Sequence, residues 1–143
     1  MVKTIGKNFD QFVVLGLGRF GTEIAVALAS GGKEVLAVDV AEDRVQAISS
    51  LVTHAVTADA ADEHVLKAIE ISSFDAVVVA IGDIQASVLA TVTLKEMGAK
   101  YIVAKASNDK HKRVLEKIGA DYVLVPEAEM AQKLANRLMN KRL

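Results

Sequence analysis

The chain is 143 residues long, 52% hydrophobic and 24% charged, with 17 Lys and Arg against 18 Asp and Glu and a formal net charge of −1. That length suits one domain of roughly 100–200 residues with a self-supporting core, and leaves no room for a second domain carrying a substrate site. The charge balance excludes a chain-wide basic footprint for nucleic acid, and the absence of Cys excludes a disulfide framework or a thiolate metal site.

From the N-terminus, Met1 to Gln11 is polar and lacks the apolar core of a secretory signal. The first predicted strand, FVVLG from Phe12, runs into Gly16-Leu17-Gly18-Arg19-Phe20-Gly21. This is a G-x-G-x-x-G loop that opens directly into a helix, with Ile24, Ala25, Leu28 and Ala29 at helical spacing. Gly16 permits the tight turn, Gly18 lets a pyrophosphate approach the backbone, and Gly21 lets helix and strand pack closely. The helix N-terminus then offers free N–H groups and a positive dipole end to phosphate. Gly16, Leu17, Gly18, Arg19, Phe20 and Gly21 are therefore the expected cradle. Arg19 is a cation suited to a terminal phosphate.

The second strand, EVLAVD from Glu34, ends in Asp39, 23 residues after Gly16. An acid at that place accepts from ribose hydroxyls and repels a 2′-phosphate, favouring NAD over NADP. A helix carrying Val45, Ile48 and Leu51–Val52 follows, then the strand HAVTAD from His54, with Asp59 and Ala60 just beyond it. Asp59 suits either an adenine contact or a helix cap. Val65, Leu66 and Ile69 mark the third helix. The fourth strand, DAVVVAIG from Asp75, contains an apolar run, Ala76 to Ile81, as long as any in the chain and far short of the ~18 residues of a membrane span. Membrane association would therefore run through a partner. Val88, Leu89, Val92 and Leu94 predict the next helix, YIVAKA from Tyr101 the fifth strand, and Val114, Leu115 and Ile118 the fifth helix. YVLVP from Tyr122 is the sixth strand.

Strand starts recur at spacings of 22, 20, 21, 26 and 21 residues, and most runs are apolar on both faces. Covered strands alternating with helices predict an α/β, Rossmann-like, doubly wound sheet of six parallel strands with helices on both faces, filling residues 1–143 as one domain. Ligands of such sheets sit beyond the carboxyl ends of the strands. That adds Asp59, Ala60, Ala80, Ile81, Gly82 and Lys105 to the site. The last helix, 127–139, begins after Pro126 with Glu127 and Glu129 in its first turn, and Lys141 and Arg142 suit its C-terminus. Met130, Leu134 and Leu138 form a stripe along it, read either as ordinary core or as an interface.

Catalytic apparatus is absent from the pattern. His54, His64 and His111 form no H-E-x-x-H and read as surface residues, and neither G-x-S-x-G nor G-x-x-x-x-G-K-[ST] occurs. Lys110 to Lys117 reads as a solvated helix face.

GLGRFG, VLAVD, AVVVAIGDIQASVLAT, IVAKASND, HKRVLEKIGADYVLVPE and the final amphipathic helix together resemble the N-terminal RCK domain of Trk/Ktr potassium-uptake regulators, from about Gln11 to Leu138. The resemblance implies a cytoplasmic regulatory subunit, peripheral to the membrane through a potassium-transporter partner, that forms homodimers and then a ring. It implies adenine nucleotides (ATP, ADP, AMP, NAD or NADH) on the glycine loop, with Arg19 on the terminal phosphate and Asp39 on the ribose. It also implies a crossover helix over 127–139 that packs on the partner, and an interface cation near Glu127. The family continues into a C-terminal subdomain that these residues do not include. The alternatives are the cofactor-binding half of an NAD-dependent oxidoreductase, disfavoured by the missing acid/base pair, or another nucleotide-binding class such as a methyltransferase.

Overall fold

The computed structural model describes residues 8–139, so Lys141 and Arg142 lie outside the described residues. The elements run β1 (Gln11–Leu15), α1 (Arg19–Ser30), β2 (Glu34–Asp39), α2 (Glu42–Ile48), β3 (His54–Thr57) and α3 (Glu63–Ile69). A 3-10 turn (Ile71–Ser73) leads to β4 (Ala76–Val79), α4 (Ile84–Glu96), β5 (Ile102–Lys105), α5 (Asp109–Lys117), β6 (Tyr122–Leu124) and α6 (Pro126–Leu138). All strands pair in parallel in the order β3-β2-β1-β4-β5-β6, the order of a dinucleotide-binding sheet.

Two cores form because adjacent residues of a strand face opposite sides. Val77 and Val79 of β4 join Leu66 of α3, Leu94 of α4 and Leu115 of α5 on one side. Val78 and Ala80 join Ala25 of α1 and Val45 and Ile48 of α2 on the other. Chain reversal at β3 divides the helices this way, because right-handed crossovers put α1–α2 and α3–α5 on opposite faces.

Coverage is therefore incomplete on the α1–α2 side. Among the described residues no helix covers β4, β5 and β6 on this side, and Phe12, Phe20, Ile24, Val103, Tyr122 and Leu124 line an open apolar groove of about 390 Å³. α6 does not fold back to fill it. None of its residues is buried, and Met130, Leu134 and Leu138 are 65%, 58% and 75% exposed. The stripe is thus not core of this chain.

Two helices depart from the periodicity. α2 ends at Ile48, and Leu51 lies beyond it, exposed. Ser49 Oγ donates to Gln46 O at 3.1 Å, the local bond by which serine competes with helix continuation. α4 buries Ser87, Ala90, Thr91, Thr93 and Leu94 while Leu89 is exposed. Thr91 and Thr93 can occupy the buried face because their hydroxyls donate back to Ser87 O and Leu89 O at 2.8 and 3.0 Å.

Candidate nucleotide-binding site

Where the strand order turns between β1 and β4, a cleft of about 390 Å³ opens at the carboxyl ends of the strands. It brings together Gly16, Leu17 and Gly18 from the glycine loop, Asp39 from β2, Asp59 and Ala60 after β3, Ala80, Ile81 and Gly82 after β4, and Lys105 from β5. Its volume lies within the ~300–1,000 Å³ range of small-molecule sites.

The glycines divide the work. Gly16 has φ +98°, and a Cβ there would lie 2.7 Å from Ala80 O. At Gly21 a Cβ would fall 1.8 Å from Gly16 O, so the head of α1 rests directly on the loop. A Cβ at Gly18 would meet nothing within 4 Å. That emptiness borders the N-terminus of α1, which no side chain caps. Asp62, Asp83 and Asn108 cap α3, α4 and α5 with their own side-chain oxygens, and α2 and α6 are, like α1, without a side-chain cap; α1 is the uncapped helix that opens on the glycine loop. The α1 terminus thus leaves its first-turn donors for an anion.

Asp39 is 6% exposed, and both of its oxygens are engaged. Oδ2 accepts from Leu17 N at 2.6 Å and Oδ1 from Ala41 N at 2.8 Å. Each carboxylate oxygen still has a second lone-pair direction for a hydroxyl donor. Arg44 Nη1 stands 3.8 Å from Oδ2 and lines the cleft. Arg44 escaped the sequence reading, together with Val40, Ala61 and Ala86 of the lining. Its one legible signal was a cation five residues after the β2 acid.

Three cradle residues stand off the cleft lining. Arg19 is exposed on an adjoining outer recess with Thr22, Glu23 and Arg44. Phe20 packs toward the second core and the apolar groove, which makes its ring a packing element. Gly21 lies beneath the loop. Asp59 does not cap α3, whose cap is Asp62; its Oδ1 accepts from Ala61 N at 2.9 Å and shapes the loop.

The reading of His111 as a surface residue is overturned. His111 is 3% exposed, with Nε2 2.9 Å from Ser87 Oγ, while Nδ1 accepts from Ser107 N at 3.0 Å. Burial, and then the Lys105 cation, hold its pKa below the usual value. Its position on a charge-rich helix concealed it, because i, i+4 spacing with Leu115 was the only mark of its face. His54 and His64 are exposed. Glu127 is exposed at the head of α6, and no three metal-ligating side chains converge among the described residues.

The site can therefore hold an anionic ligand with a hydroxyl-bearing edge. Residues 12–126 match the model of the TrkA-N domain. The chain belongs to the TrkA-N domain family. It is 47% identical over 134 residues to the Ktr system potassium uptake protein C of Bacillus subtilis, covering 93% of this chain and 61% of that relative. The chain thus spans about three-fifths of the relative's length. Among solved structures it is similar to the Kef CTD of Shewanella denitrificans in AMP-bound form, with TM-score 0.78 and 19% identity over 90% of this chain and 78% of that one. It is also similar to the GsuK channel bound to NAD, with TM-score 0.71 and 15% identity over 85% of this chain and 22% of that one. No helix among the described residues is long and apolar enough to cross a membrane.

Proposed function

We propose that this chain is the nucleotide-sensing domain of a potassium-uptake regulator and that it binds an adenine nucleotide reversibly, without turnover. The observation that carries this reading is the open space at Gly18 between an uncapped α1 N-terminus and the buried carboxylate of Asp39. Phosphates lie against the helix end, where the dipole and N–H groups favour negative charge, and the ribose lies against Asp39. Arg44, Lys105 and, from the rim, Arg19 add cations within reach of the phosphates. The AMP-bound and NAD-bound relatives of the same fold support this class of ligand.

The similarity to a Ktr system potassium uptake protein supports a potassium-uptake system as the setting, and in this reading the partner is a membrane potassium transporter and the domain lies in the cytoplasm. The exposed Met130/Leu134/Leu138 stripe and the uncovered groove support a homodimer, and through it a ring, in which α6 crosses to a second copy. A cation at Glu127 would need carboxylates from that second copy, since one copy assembles no donor set among the described residues. Nucleotide identity then acts on transport only through its differential affinity for the two arrangements of the dimer.

Calorimetric titration with AMP, ADP, ATP, NAD and NADP tests the reading. Binding of at least one adenine nucleotide, with NADP weaker than NAD, is expected. A chain that binds none of the five would refute it, and NADH consumption with a redox partner would favour the oxidoreductase alternative.

A further inference from the structure

Apart from Asp39, the one buried titratable side chain among the described residues is His111. It reaches two segments at once. Nε2 lies 2.9 Å from Ser87 Oγ on α4, and Nδ1 accepts from the backbone N–H of Ser107 at 3.0 Å in the turn after β5. Both anchors adjoin the cleft, since Ser87 follows the lining residue Ala86 and Ser107 stands two residues beyond the lining residue Lys105. We propose that His111 is a positioning residue for the nucleotide cleft: its neutral ring ties the first turn of α4 to the turn after β5, and protonation releases that tie and weakens nucleotide binding. This rests on the nucleotide-binding reading above.

The backbone fixes the tautomer. An amide N–H only donates, so Nδ1 must present a lone pair, and the ring proton sits on Nε2 facing the Ser87 hydroxyl. A second proton would go to Nδ1 and set N–H against N–H, so the Ser107 bond is lost and the turn must move. Asn108, the next residue, caps α5 by accepting from His111 N at 2.8 Å, so the movement reaches the helix cap as well. Ser87 is completely buried and carries the other end of the tie into α4, whose N-terminal cap Asp83 follows the lining residues Ile81 and Gly82.

The surrounding charges favour the neutral ring. Lys105 on β5 opposes a second cation. On α4, Asp83 accepts from Ala86 N at 2.8 Å. On α5, Asp109, Lys110 and Arg113 are exposed and Lys112 is half-buried. β6 contributes no charged side chain, and Glu127 and Glu129 of α6 are exposed. No carboxylate pairs with the ring among the described residues.

The experiment is calorimetric titration of ADP into wild type, His111→Gln and Ser87→Ala between about pH 8 and about pH 5, a window that reaches below the ordinary histidine range because burial and Lys105 lower this ring's pKa. Gln retains an acceptor and a donor without a proton equilibrium, so His111→Gln should bind roughly two- to tenfold more weakly near pH 8, the loss expected for one imperfect hydrogen bond. As the pH falls through the ring's own titration range, which burial and Lys105 place below the usual one, wild type should lose affinity relative to His111→Gln, approaching about tenfold per pH unit for one coupled proton. The ligand's own phosphate titration cancels in that ratio. Ser87→Ala should weaken binding near pH 8 yet keep the wild-type slope.

A wild-type to His111→Gln ratio that stays constant across the range overturns this inference alone. Absence of binding by wild type at every pH overturns the nucleotide reading and this inference with it. If His111→Gln does not fold, nitrogen-detected NMR of wild type decides. The expected ring is Nε2-protonated, and the Ser107 and Ala86 amides shift with its titration midpoint. Saturating ADP should move that midpoint lower; a midpoint unmoved by ADP, or an Nδ1-protonated ring, overturns the proposal.

Discussion

Leu17 N donates to Asp39 Oδ2 at 2.6 Å, so the acid that ends β2 also fixes the shape of the glycine loop. With Oδ1 accepting from Ala41 N at 2.8 Å, one buried carboxylate holds the turns after both β1 and β2. Asp39→Asn keeps the shape but sets an amide N–H against one of two backbone donors. It should cost about 1–3 kcal/mol of stability, the usual penalty for a buried polar group left unpaired. Affinity for AMP, ADP and NAD should fall together, because the loop and the proposed ribose acceptor are disturbed at once. Thermal melts and titrations of the same sample check this; a variant with an unchanged melting temperature would show that the loop is held by other contacts.

The three glycines of the loop should respond differently to the same added methyl group. Gly21→Ala drives a Cβ to 1.8 Å from Gly16 O, and the contacted atom is backbone, so the expected result is a chain that fails to fold. Gly16→Ala adds a clash with Ala80 O at 2.7 Å to a φ of +98°, and should also be strongly destabilised. Gly18→Ala enters open space and should keep the wild-type melting temperature while losing most nucleotide affinity. Retained affinity in Gly18→Ala would place the phosphates elsewhere.

The division between legible and hidden follows from what each residue's neighbours are. The strands, the glycine turn and Asp39 were legible because local rules govern them: β-branched runs, tight turns, and an acid at a fixed distance. Arg44 was not, since a cation on an amphipathic helix is ordinary until the fold carries it to 3.8 Å from Asp39. His111 was hidden for the opposite reason. Its helix is rich in charge, and only α4 packing against α5 supplies the Ser87 hydroxyl that makes its burial affordable. The uncovered half of the sheet was hidden because periodicity reports that a strand face is apolar, not which element covers it.

Arg19 and Arg44 carry the same charge but stand differently, and their variants should separate. Arg44 is 56% exposed, and its exposed pairing with Asp39 is worth little, so Arg44→Ala should melt within about 0.5 kcal/mol of wild type. Lying beside the proposed ribose acid, it would offset part of the repulsion Asp39 exerts on a 2′-phosphate, and its loss should lower NADP affinity more than NAD affinity. Arg19 stands on the outer recess at the head of α1. Arg19→Ala should narrow the preference between ATP and ADP while leaving AMP nearly unchanged. Equal losses for the three nucleotides would remove Arg19 from the terminal phosphate, and an unaltered NAD to NADP ratio would remove Arg44 from the ribose edge.

α6 should be the element that decides oligomeric state. Met130, Leu134 and Leu138 recur along one side of a helix with no buried residue, and a large apolar side chain contributes about 1.5–3 kcal/mol when removed from water. Leu134 is the middle of the three, so Leu134→Arg places a charge at the centre of whatever surface the stripe meets. Within one chain Leu134 is 58% exposed, and the substitution should leave the melting temperature of the isolated domain nearly unchanged at low concentration. Sedimentation velocity should then find wild type as a dimer or larger and Leu134→Arg shifted toward monomer. Tyr122→Arg, in the apolar groove over β4–β6, should produce the same shift if that groove receives the helix. A Leu134→Arg protein that sediments like wild type would mean that the copies meet through another surface. A response to Leu134→Arg but not to Tyr122→Arg would keep α6 in the interface and move its seat away from the groove.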